Sequence, residues 1–301
     1  MIIWDKNRVL REISSAQEIY ESPAYIRVLD KNLHELNEII GIYKLREDDE
    51  EVLCGFKDCR TRHQKGYLIS TKSGNTANIG NFCGRKIFGV DFKTQINIFK
   101  REIKIKKERD FLIDFDAAGY EVKLNELLNG EHGARWMHQM ITKIIEPPEV
   151  PEVIFKKIRD IKRTGNANIS LTREATPEEK KRDRDMGKKV ADYVDEVVGV
   201  LSYITALNED FNLKRLLITE SLEPIKKLQQ LDIHALSRSE LNTTYRAISS
   251  VPTNYEKAIE AMSRARGFLT KKNLSPLIQL INNGDKDAQK LFKRYLNQLP
   301  E

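Results

Sequence analysis

The chain has only three cysteines, and all of them fall between Cys54 and Cys83. Scatter over 301 positions would rarely bring them so close together. An odd number argues against a disulfide framework, which uses cysteines in pairs. With His63 included, the order is Cys54-x4-Cys59-x3-His63-x19-Cys83. Thiolate and imidazole are zinc's preferred ligands in structural sites, and four of them complete a tetrahedron. The spacing therefore predicts that residues 54–90 fold around one zinc ion held by Cys54, Cys59, His63 and Cys83.

The residues between the ligands suggest how this happens. Cys54-Gly55-Phe56-Lys57-Asp58-Cys59 reads as a loop that turns two sulfurs toward one point, although a gap of four is wider than the usual two or three. Gly66–Thr71 reads as a strand, Lys72–Asn75 as a turn and Thr76–Gly80 as the returning strand, which makes a β-hairpin. Cys83 then falls near the start of a short helix, where free backbone N–H groups favour a thiolate. These features, with Ser73-Gly74 and Asn78-Ile79-Gly80-Asn81-Phe82-Cys83, resemble treble-clef-like zinc modules, built of a knuckle, a hairpin and a ligand-bearing helix. The resemblance covers about 37 residues and implies a metal site rather than an activity. Such modules usually place two ligands at the helix start. Here Cys83 stands there alone, so His63 must supply the fourth.

Other readings of the same residues are open. The cysteines could be small buried hydrophobes and His63 a surface residue. An iron–sulfur cluster usually needs four cysteines. A catalytic zinc would need an open position, with His63 unbound. Cys83 as a nucleophile with His63 as its base leaves Cys54 and Cys59 unexplained.

Charge adds a second constraint. The net charge is +6 and the sequence pI about 9.0. Residues 54–90 carry Lys57, Arg60, Arg62, Lys65, Lys72, Arg85 and Lys86 against Asp58 alone, and residues 155–190 are also basic, whereas residues 1–53 are acidic. A local positive excess favours polyanions, most commonly nucleic acid. Arg60, Arg62, Lys65, Arg85 and Lys86 are expected to form one phosphate-contacting surface, extended by Lys100, Arg101 and Lys104. Of the aromatics Phe56, Tyr67, Phe82, Phe88 and Phe92, an exposed one could stack on an unpaired base.

Elsewhere the pattern reads as mainly α. The expected architecture is a small Cys3His zinc module with a β-hairpin, inserted between helical regions and followed by an all-helical C-terminal domain. Residues 7–45 show apolar positions at Val9, Leu10, Ile13, Ala16, Ile19 and Tyr20, then Leu29, Leu33, Leu36, Ile39 and Ile40, which is helical spacing. Glu47 to Glu51 is an acidic, exposed run. The expected divisions are 1–53 (helical), 54–91 (zinc module), 92–146 (helical), 147–176 (a linker marked by Pro147, Pro148 and Pro151) and 177–301 (helical). Thr176-Pro177 with Glu179, Ser237 with Glu240 and Thr253 with Glu256 read as helix starts. Between them, Val190, Tyr193, Val194, Val197, Leu201 and Ile204 keep helical spacing.

Neither a membrane span nor a secretory signal is evident, the start from Met1 to Asn7 being short, so a cytoplasmic location is expected. No phosphate-binding glycine loop or dinucleotide fingerprint occurs. Asp114, Asp116 and Glu121 could hold a divalent ion in a metal-dependent nuclease, though such carboxylates more often mark a solvated turn. His132, Arg135 and His138 fit packing roles, and His234 a loop. The favoured reading is a zinc-containing nucleic-acid-binding protein without enzymatic activity. The alternative is a protein–protein adaptor with a purely structural zinc.

Overall fold

The computed structural model describes residues 2–4, 9–12, 15–30, 32–46 and 50–301. Ile13, Glu47–Asp49 and most of the Met1–Asn7 start lie outside the described residues. The chain divides into two compact units, Met1–Phe111 and Leu112–Glu301. About 56% of it is helical, so the mainly-α class holds.

The first unit is built on a sheet. Its elements are β1 (Ile2–Trp4), β2 (Leu10–Glu12), α1 (Ala16–Tyr20), β3 (Leu36–Lys44), β4 (Val52–Leu53), β5 (Arg62–His63), β6 (Lys65–Thr71), β7 (Thr76–Gly80) and α2 (Asn81–Asp114). Five strands form an antiparallel sheet in the order β2-β1-β3-β6-β7, and β4 pairs with β5 in a separate ribbon. The β6–β7 hairpin has Tyr67 opposite Ile79 and Ile69 opposite Ala77. One face of the sheet buries Ile39, Ile69, Ala77 and Ile79 with Phe92, Ile96 and Phe99 of α2. The other core gathers Tyr43, Leu68, Val52 and Ile19.

The helical reading of 7–45 is corrected to strands with one short helix, and β3 shows why. Its register shifts between Leu36 and Glu38 and again between Ile39 and Gly41. Each irregularity inserts a residue, so Leu36, Ile39 and Ile42 pack toward one core while Ile40 and Tyr43 pack toward the other. Bulges thus turn a period of two into spacings of three, which look helical in sequence.

α2 is broken at Gly89, whose φ of 59° lies in the left-handed region. Past that break Phe92 is fully buried against Gly84 in the first turn. The expected helix over 92–113 is the continuation of this element.

The second unit contains α3 (Ala117–Asn129), α4 (Ala134–Ile145), α5 (Glu152–Thr164), β8 (Asn168–Glu174), α6 (Pro177–Asp185), β9 (Tyr193–Val200), the helical stretch Arg215–Leu222, α7 (Glu223–Leu228), α8 (Arg238–Phe268), α9 (Lys271–Leu274) and α10 (Lys286–Leu296), with short 3-10 turns between them. The capping boxes at Thr176 and Ser237 are both present. The expected start at Thr253 is not: α8 runs through Pro252, because Leu241, Ile248, Val251, Ala258 and Ala261 keep one buried face on both sides of it. The predicted linker over 147–176 is also corrected. It holds α5 and β8, with Ile154, Ile158, Ile161 and Ile169 buried, and Pro151 caps α5 rather than opening a flexible segment. The all-helical reading of the C-terminal part fails at β9, which pairs antiparallel with β8. Its Val194, Val197, Val198 and Val200 are β-branched and suit a pleated surface better than a helix. No helix among the described residues is long and apolar enough to cross a membrane.

A Cβ at Gly84 would overlap the buried ring of Phe92. Gly84→Ala is therefore expected to cost about 1–3 kcal/mol of stability through overpacking. Gly74→Ala, in open space at a turn with φ of 85°, should cost less, about 1 kcal/mol. Urea unfolding midpoints of the two variants against the parent test this ordering.

Candidate metal centre

The cysteines arrive on two structural devices. Val52 pairs with His63 and Leu53 with Arg62, so β4 and β5 form the base of a loop that spans Cys54 to Thr61. The Cys54 N–H donates to Thr61 O at 2.9 Å and closes the loop. Inside it, Cys59 N and Arg60 N both donate to Phe56 O, at 3.1 and 3.3 Å. Arg60 adopts a φ of 51°, a left-handed conformation uncommon for a non-glycine residue. This turn brings Cys59 back toward Cys54. The second device is the hairpin: β7 ends at Gly80, and the first turn of α2 presents Cys83.

The loop is fastened to the sheet by Asn78, a fully buried residue of β7. Its Nδ2 donates to Leu53 O at 2.8 Å and to the Tyr43 hydroxyl at 3.3 Å, while its Oδ1 accepts from the Tyr25 hydroxyl. The backbone adds Gly55 N to Asn78 O at 2.8 Å. A polar residue at an inward position of an apolar strand was a legible signal, but neither Asn78 nor Tyr43 was assigned a role from sequence.

The Sγ atoms of Cys54, Cys59 and Cys83 lie within 4.8 Å of one another, and Cys59 and Cys83 are 3.0 Å apart. Three sulfurs each ~2.3 Å from one tetrahedral ion would be separated by roughly 3.8 Å, so the cluster is of the size a metal ion requires. These three cysteines could hold a metal ion. His63 is outside this tight group, but it lines the same cleft of about 560 Å³. Its Nδ1 is 3.3 Å from the Tyr43 hydroxyl, and its Nε2 is buried without a hydrogen-bond partner. Burial pushes its pKa down, which keeps the imidazole neutral.

In the metal-free state the thiols are unequal. Burial raises Cys54, and the backbone N–H groups of Gly80 and Phe56 only partly offset it. Burial also acts against ionisation of Cys59, but hydrogen bonds with Thr61 and Cys83 outweigh it and bring that thiol down to about 7. Cys83 is pushed up to about 12 by burial and by the neighbouring sulfurs. The helix start does not make Cys83 the acidic thiol, as its position suggested. The Cys83 S–H is placed to donate to Cys59 Sγ, 3.0 Å away.

The basic residues separate into groups. Lys65 and Lys86 line the cleft beside the sulfurs, as does Lys57. Lys65, Arg85 and Lys86 are exposed and in no ion pair among the described residues. Arg60 donates to Arg27 O at 2.9 Å. Arg62 is partly neutralised by Glu50 at 3.5 Å and also donates to Glu51 O. Lys100 and Arg101 are exposed on α2 beyond the Gly89 break, and Lys104 pairs with Glu108 at 3.5 Å. Among the aromatics, Phe56 and Phe92 are buried, Tyr67 and Phe88 half-buried, and Phe82 is 78% exposed on the wall of the cleft.

Other candidates have structural employment. Asp116 caps α3 by accepting from Gly119 N at 2.9 Å, and Glu121 accepts from Gln229 at 2.9 Å. Among the described residues, these carboxylates do not gather with Asp114 into a metal-sized group. The His132 ring packs on Trp136, with centroids 4.4 Å apart, and His138 is half-buried.

In metal-stripped protein, Cys59 should be the first thiol alkylated by iodoacetamide. The thiolate is the nucleophile, so its rate should climb as pH rises through about 7, while Cys54 and Cys83 stay slow. Peptide mass spectrometry of time points between pH 6 and 9 checks both order and midpoint. No family model matches the chain, and neither a curated protein nor a solved structure matches it.

Proposed function

We propose that this is a zinc-containing nucleic-acid-binding protein in which the metal is structural and the neighbouring lysines contact phosphates. The observation that carries the reading is the convergence of three cysteine sulfurs on a cleft that Lys57, Lys65 and Lys86 also line. Three thiolates favour zinc over the hard, oxygen-seeking divalent ions. His63 supplies the fourth ligand through Nε2, an atom whose burial without a partner otherwise costs about 1–3 kcal/mol. In that tautomer Nδ1–H donates to the Tyr43 oxygen, the usual arrangement in which a ligating histidine is oriented by its other nitrogen. Four protein ligands leave no open position for a substrate, so the zinc holds the fold and performs no reaction.

A second reading, a protein–protein adaptor, draws on β9. Tyr193, Val197 and Val200 are each more than half exposed there. That patch is on a strand rather than on a helix.

Purified protein should contain one zinc per chain, measured by atomic emission. His63→Ala should lower zinc affinity by more than the roughly 10–100-fold that loss of an outer hydrogen-bond partner costs, and Tyr43→Phe should stay within that range. Equal, small effects from both would remove His63 from the ligand set. Acidification should release zinc as the thiolates take up protons, and competition with a chromophoric chelator between pH 5 and 8 measures it.

Reversing both cleft lysines (Lys65→Glu with Lys86→Glu) should weaken binding to labelled oligonucleotides of any sequence while zinc is retained. The slope of log affinity against log salt should become shallower by roughly 0.7–0.9 for each phosphate that the variant no longer neutralises. Unchanged binding, or no binding by the parent at low salt, would favour the adaptor.

A further inference from the structure

We infer that the cleft selects unpaired nucleic acid, with Phe82 as the platform on which one base stacks. This rests on the nucleic-acid-binding reading above and narrows it to single strands.

Phe82 stands directly before Cys83 in the first turn of α2, and its side chain is 78% exposed. The surrounding aromatics do otherwise: Phe56 and Phe92 are buried in the core, and Tyr67 and Phe88 pack against it. Single exposed apolar residues are common and need no explanation. Phe82 differs in its position, on the wall of a cleft whose other exposed lining includes Lys57, Lys65 and Lys86. The rest of the lining includes apolar Ile87 and Leu29, the exposed carboxylate of Asp58, and the cysteines and His63 of the candidate metal centre. An aromatic face beside ammonium groups is complementary to a nucleotide, whose base has a π-face and whose phosphate is anionic. Bases within a duplex have their faces covered by their neighbours, so Phe82 can stack without the cost of a few kcal/mol for prising a base step apart only on an unpaired base. Because stacking accepts every base, the preference is for strandedness and not for sequence.

The test uses the full zinc-loaded chain with a fluorescein-labelled 20-mer, single-stranded or annealed to its complement. The parent should prefer the single strand. Phe82→Ala should weaken single-strand binding by roughly 5- to 150-fold, the range for loss of one stacked base, with little change on duplex. Zinc content should be unchanged, since the ring contributes nothing to the core. Phe82→Trp should restore single-strand affinity, which a merely apolar contact would not require, and Phe82→Leu should not. If Phe82→Ala binds single strands as the parent does, or loses single strand and duplex equally, the inference is overturned while the proposed function stands. If the parent binds neither at low salt, both fall together. A salt-sensitive parent with no strand preference also overturns the inference alone.

Discussion

The amide of Asn78 is the point at which the sheet takes hold of the cysteine loop. β4 and β5 are two residues each, far too short to be stable as an isolated ribbon. What holds them is the Asn78 side chain on Leu53 O, together with the Gly55 N–H on Asn78 O. The amide is fully buried, and truncating it would strand the Leu53 carbonyl and the Tyr25 phenol and leave the Tyr43 hydroxyl with His63 alone. An unsatisfied buried polar group costs about 1–3 kcal/mol, a large fraction of the stability of a small domain. Tyr43 extends the network from Asn78 to His63, so the same buried residues that anchor the loop also orient the imidazole.

The sulfur cluster is built on that anchor, and its protonation state depends on what it holds. Without metal, three thiols lie within 4.8 Å, one buried outright, and their ionisation is mutually opposed. Burial opposes ionisation of Cys59 too, and it reaches about 7 through hydrogen bonds from Thr61 first and then from Cys83 and Cys54. A divalent cation inverts this logic, because it stabilises all the thiolates at once. Metal binding at these cysteines would therefore be coupled to closure of the loop, as in other small metal sites. The Cys54 side of the site belongs to the main core of the unit, whereas Cys59 and Cys83 are at its margin. The metal would then act as a bridge from the sheet core to the first turn of α2.

Much of this was legible from sequence, and the failures share a cause. The β6–β7 hairpin, the placement of Cys83 in a first helical turn, α4 and the capping boxes at Thr176 and Ser237 all depend on residues within a few positions of each other. β3 and β9 depend on partners far away in the chain. In β3 two bulges rewrite the face of each residue, so Leu36, Ile39 and Ile42 imitate a helix. In β9, Tyr193 and Val197 are four apart, a spacing that a helix and a strand both place on one side. Only the density of β-branched residues distinguished them. The Thr253–Glu256 pair misled in the opposite direction, because a continuous buried stripe carries α8 past it and through Pro252. The clustering of Cys54, Cys59 and Cys83 was visible at once. The network behind His63 was not, since its members Tyr43 and Asn78 are 20 and 15 residues away and only the sheet brings them together.

The first turn of α2 joins these threads mechanically. Within six residues it presents exposed Phe82, the candidate ligand Cys83, Gly84 against the Phe92 ring, and the cleft cation Lys86. Helical geometry fixes the directions in which their Cα–Cβ bonds leave the backbone relative to one another. Gly84 leaves room for Phe92 to approach the turn, and the kink at Gly89 lets the chain bring Phe92 to it. The buried ring thereby sets the position of Cys83, and Cys83 sets that of Phe82 and Lys86. Lys100, Arg101 and Lys104 lie beyond Gly89 and do not share this turn, and Lys104 is already paired with Glu108. Arg85 and Lys86 are thus the cations whose backbone the helix start carrying Cys83 positions, and an ion held by the cysteines would fix that backbone further.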